Sequence, residues 1–108
     1  MLDTTELTAA VDRFADRLRA APQSRLERGA AAGALALARE LARRAQLLEN
    51  PDRTPVIMPD AGVFAVADQL SVAGADIAEA LRTAPPRRAA EVDEAVELVR
   101  AAVERSGL

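Results

Sequence analysis

The side chains in this chain that could do chemistry are carboxylates and arginines, and almost nothing else. Asp12 and Asp16 lie four residues apart, as do Asp93 and Glu97. Glu91, Glu94 and Glu97 follow one another at intervals of three. On a helix such pairs share a face, where two carboxylates can hold a hard cation or share a proton. Each set, however, falls opposite the apolar side of its helix and has arginines close by, which is the pattern of a solvated face. Histidine, cysteine, lysine, tyrosine and tryptophan are absent. That removes the usual base near neutral pH, thiolate and amine nucleophiles, and imidazole or thiolate metal ligands. No phosphate-binding glycine loop or dinucleotide fingerprint is present. The reading is therefore of a protein that is not an enzyme, with no cofactor and no metal.

Arginine supplies all 14 basic residues, a usage that a GC-rich genome also produces. Arg28, Arg39 and Arg43 fall on one outer stripe of the longest helical stretch and could face an acidic partner or a phosphate backbone. Against a nucleic-acid role stand the net charge of −3, the nearby Glu40, and the lack of an interleaved aromatic residue for base stacking.

The elements that carry these residues are helices. The central one spans 25–49 in SRLERGAAAGALALARELARRAQLLEN. Ser24 and Glu27 form an S-x-x-E capping box, and Asn50-Pro51 supplies the stop, with Asn50 expected in the left-handed conformation. Leu26, Ala30, Ala34, Leu37, Leu41, Ala45 and Leu48 fall on one face, which Ala31, Leu35, Ala38 and Ala42 widen to about half the circumference. Gly29 and Gly33 sit at its edge. Each glycine costs about 1 kcal/mol against alanine inside a helix, so close approach of another helix is expected there, either within the chain or from a second copy.

The first helix, 4–21, opens on an Asp3/Glu6 box with Leu2 and Leu7 as a hydrophobic staple. It carries the seam Leu7, Val11, Phe14, Leu18, Ala21. The short Pro22-Gln23 link makes helices one and two antiparallel neighbours. The third, 61–82, starts at an Asp60 cap and holds one phase through Val63, Val66, Leu70, Gly74, Ile77 and Leu81; a second start signal at Asp76/Glu79 would permit a break near Gly74. The fourth, 86–106, follows Pro85-Pro86, has the seam Ala89, Val92, Val96, Val99, Val103, and closes at Gly107.

These elements predict one domain: an all-α, up-down-up-down four-helix bundle. Half the residues are apolar and 26 of them are alanine, so the core is alanine-rich, with closely approaching helix axes and little space for a small-molecule ligand. Val56, Ile57 and Met58 interrupt a proline-flanked connection that should be polar. Helix one is shorter than helix two, and at least one of these three side chains is expected to fold back over the uncovered end; if exposed, they would form a docking patch. The N-terminus has no basic or apolar leader pattern and no apolar run is of membrane-spanning length, so the expected compartment is the cytoplasm. The expected role is a non-enzymatic interaction or assembly module, binding itself as a homodimer or another protein, with a small DNA-associated regulator as the alternative.

Overall fold

The computed structural model describes residues 1–108 and is all-helical, without a strand. Helix α1 is Thr5–Ala20. Helix α2 covers residues 23–49, in three pieces: a first turn Gln23–Arg25, a widened turn Leu26–Ala30, and the regular run Ala31–Glu49. Helix α3 is Val66–Arg82. Helix α4 is Ala89–Ser106, led in by a tight turn at Pro86–Arg88. The four pack into a flat bundle whose extents are 42 × 27 × 17 Å.

The apolar faces expected from helical periodicity form the core. Leu7, Val11, Phe14 and Leu18 of α1 are buried, as are Leu26, Ala30, Ala34, Leu37, Leu41 and Ala45 of α2. From the second half come Val66, Leu70, Gly74, Ile77 and Leu81 of α3 and Val92, Val96 and Val99 of α4. Ala89 is exposed, because the helix is still leaving its lead-in turn there.

The all-α four-helix bundle with its alanine-rich core is thus as the pattern predicts. Its internal directions differ from strict alternation. The Leu2 amide donates to the Arg82 carbonyl at 3.3 Å, while at the other end Arg19 reaches Asp68 at 2.9 Å, so α1 and α3 are antiparallel. Glu6 pairs with Arg100, and Arg17 donates to the Leu108 carbonyl at 3.4 Å, so α1 and α4 are parallel. Arg44 meets Glu94 at 3.2 Å and Arg25 donates to the Gly107 carbonyl, so α2 runs against α4. The order is up, down, down, up. The cause is the connection between α2 and α3. Residues 50–65 run back along α2 to its starting end; at about 3.3 Å per residue they can reach roughly 50 Å, against about 28 Å for the regular part of α2. Helices α1 and α2 are not side-by-side neighbours either: each packs on α3 and α4, and they lie diagonally across the bundle. The Pro22 link joins their ends without laying them together.

Several boundary signals act differently from their sequence reading. The Ser24/Glu27 box does not form. Pro22, extended at φ −63°, ψ 148°, already accepts at its carbonyl from the Arg25 and Leu26 amides, which draws Ser24 inside the helix. Glu27 instead accepts from the side-chain Nε2 of Gln23 at 2.8 Å. Asp3 does accept from the Thr5 amide at 2.9 Å, but Glu6 turns to Arg100. Asn50 is not left-handed but takes φ −149°, ψ 82°, since the following proline disfavours helical backbone at the preceding residue. Asp60 accepts from the Gly62 amide at 2.9 Å in a local turn, and α3 starts later than expected, at Val66. The second start signal at Asp76 is silent and α3 is unbroken. Gly107 closes α4 in the left-handed conformation, as expected.

Candidate interaction surface

Residues 50–65 form a strap laid along α2, and the residues singled out in the sequence meet it in unequal ways. Gln46, half-buried on α2, grips the strap at Val56: its amide oxygen accepts from the Val56 N–H at 2.8 Å and its amide nitrogen donates to the Val56 carbonyl at 3.0 Å. One side chain therefore does what a neighbouring β-strand would do. Further on, Arg39 donates to the Met58 carbonyl at 2.8 Å and Gln69 of α3 to the Pro59 carbonyl at 2.8 Å. Met58 is half-buried against the core. Val56 and Ile57 are not: they are 71% and 77% exposed. Of the expected lid, only Met58 covers core surface; side chains of α2 and α3 hold the rest through hydrogen bonds to its backbone.

Two further exposed apolar side chains went unread in the sequence. Phe64 is 74% exposed in the turn at the end of the strap, and Val72 is 59% exposed on α3. Val72 lies three residues after Gln69, so it shares the side of α3 that faces the strap. Both are out of phase with the α3 seam at 66, 70, 74, 77 and 81, and that misfit is the signal that could have found them. Val56, Ile57, Phe64 and Val72 thus occupy the strap and its border.

The arginine stripe is largely committed to the fold. Arg39 holds the strap. Arg43 makes a two-pronged pair with Glu40 at 2.8 and 2.7 Å, and Arg44 reaches the same carboxylate at 2.8 Å. Arg28 donates to the Ser24 carbonyl of its own helix at 3.3 Å. The hydrogen bonds from Arg43, then Arg44, and the charges of both arginines hold the Glu40 carboxyl down at about 2, against the opposing effect of its partial burial. Because the folded value lies below the ordinary 4.5, this contribution to stability is complete above about pH 5 and is lost as pH falls toward 2. Glu40→Gln is expected to remove that pH-dependent part, about 1 kcal/mol once solvent screening is allowed for. Urea unfolding of both proteins at about pH 7 and about pH 3 checks it: the gap between them should narrow in acid.

Gly29 and Gly33 have separate explanations, and neither is a neighbouring helix of this chain. Both are exposed, and a Cβ built on either meets nothing within 4 Å. Gly29 has φ 140°, which other residues rarely adopt, and it sits in the widened turn where α2 bends. Gly33 is regular helix facing open space. Close approach within the chain occurs at Gly74, where a Cβ would stand 2.5 Å from Val11 Cγ1.

The paired carboxylates lie on outer faces. Asp16 meets Arg19, Glu94 meets Arg44, Glu97 meets Arg100, and Glu91 meets Arg88. No group of three or more acidic side chains is placed to hold a metal ion, and no helix is long and apolar enough to cross a membrane. No protein family, curated protein or solved structure matches this chain.

Proposed function

We propose that this chain is a non-catalytic helical interaction module of the cytoplasm, and that it binds a protein, either a partner or a second copy, through the strap face. The observation that carries this reading is the exposure of Val56 and Ile57 on a segment that is otherwise fastened down. Gln46, Arg39 and Gln69 hold the strap backbone, so its two aliphatic side chains are presented at fixed positions, not waving on a loose loop. Phe64 and Val72 extend the apolar character along the same border. Single exposed apolar residues are ordinary on any protein, whereas a grouping on one face marks a contact site. A nucleic-acid role for the α2 arginines is the weaker reading, because Arg39 and Arg43 are already engaged.

Ile57→Ser and Phe64→Ser test the proposal. Each is expected to leave the unfolding free energy within about 0.5 kcal/mol of the parent, as for surface changes in general, while weakening self-association in light scattering or recovery of the partner in affinity capture. A loss of about 2 kcal/mol would instead make these side chains part of the core. Unchanged stability with unchanged association would remove the strap face as the binding surface.

A further inference from the structure

The packing of this bundle divides in an unusual way. α1 packs on α3 and α4, and α2 packs on α3 and α4. α1 and α2 share almost no contact, and neither do α3 and α4. Every substantial interface between helices therefore joins residues 1–49 to residues 66–108. The large fully buried side chains are divided in the same way. Leu7, Val11, Phe14, Leu18 and Leu41 belong to one half, and Leu70, Ile77, Leu81 and Val99 to the other. Neither half has a core of its own to form; each is the surface on which the other buries its apolar faces. The tether between them is sixteen residues long, held along its backbone by Gln46 and Arg39 of α2 and by Gln69 of α3, with Met58 and Val63 its only apolar side chains packed on the core.

We infer that two copies of this chain can exchange halves, with α1 and α2 of one copy packing on α3 and α4 of the other and the reverse. The interfaces are indifferent to which chain supplies each half, so the exchanged dimer repeats every interhelical contact of the monomer and closes on a two-fold axis. The tether sets the balance between the two forms. It gives each half an effective concentration of about 1 mM at its own partner. The monomer therefore dominates in dilute protein, and exchange becomes competitive when the chain folds at concentrations near that value. This inference is independent of the strap-face reading: it is argued from the interfaces between helices, not from the exposed side chains of the strap.

The test uses the full chain, which has no cysteine of its own. Arg19 and Asp68, an exposed pair joining α1 to α3, are both replaced with cysteine. The protein is unfolded, refolded at about 1 mM, and diluted to about 10 μM before size exclusion. A dimer fraction is expected to survive dilution, because its return to monomer requires unfolding. A short bismaleimide should then link two chains in that fraction and link each chain to itself in the monomer fraction, as read on a denaturing gel. A second variant, Glu6→Cys with Arg100→Cys, repeats the reading across α1 and α4. If no dimer survives dilution, half-exchange is wrong. If a dimer survives but its links lie within single chains, half-exchange is equally wrong, and that dimer joins through an outer surface such as the strap face.

Discussion

Replacing Gly74 with leucine should lower the unfolding free energy by about 3 kcal/mol or more, the upper end of what overpacking costs in a close-packed core. Gly74 is buried in the middle of α3, and its Cα faces Val11 of α1. A Cβ there would lie 2.5 Å from Val11 Cγ1, 3.0 Å from Cγ2 and 3.1 Å from Cβ. Valine branches at Cβ and has one strongly preferred rotamer in a helix, so it cannot swing away. The helices would have to part, and Ile77 and Leu81 would lose packing with them. Alanine at the same position should also destabilise, but less, because about 1 kcal/mol of improved helix propensity offsets part of the clash. The diagnostic result is non-additivity. Val11→Ala alone opens a cavity, and Gly74→Ala alone causes a clash, but the double variant exchanges one volume for the other. Urea unfolding should therefore find it more stable than the sum of the two losses implies. If the two effects simply add, the α1–α3 contact is not where the structure has it.

Gly29 and Gly33 should respond to alanine with opposite signs. At Gly29, φ 140° places any L side chain in strain worth roughly 1–3 kcal/mol, so Gly29→Ala should lose about 2 kcal/mol or straighten the widened turn and displace Leu26 from the core. Gly33 is regular helix with open space beyond its Cα, so Gly33→Ala should gain up to about 1 kcal/mol from helix propensity alone. Thermal unfolding of the two variants beside the parent measures both. A loss at Gly33 that depends on protein concentration would place a second copy against this face; a loss independent of concentration would return it to packing within the chain. Equal effects at the two sites would contradict the kink at Gly29.

These two glycines mark the boundary between what is local in the sequence and what is not. The positions of the helices and the sides they bury were legible, because a 3.6-residue period of apolar side chains needs no knowledge of the partner: Leu7, Val11, Phe14 and Leu18 share a face of α1 wherever α1 goes. The role of a glycine is not local. Gly29, Gly33 and Gly74 look alike in sequence. One relaxes a bend, one faces open space and one admits Val11, and only the positions of other helices separate them. The strap was legible as an anomaly, three apolar residues among prolines, but its attachment was not. A glutamine that matches a backbone N–H and carbonyl carries no pattern until the register of strap against helix is known. Direction was the least legible feature. A connection of two or three residues forces the next helix to turn back, whereas sixteen residues can span α2 and start α3 from either end. The local sequence then leaves both topologies open, and the choice falls to which apolar faces seal together across the bundle.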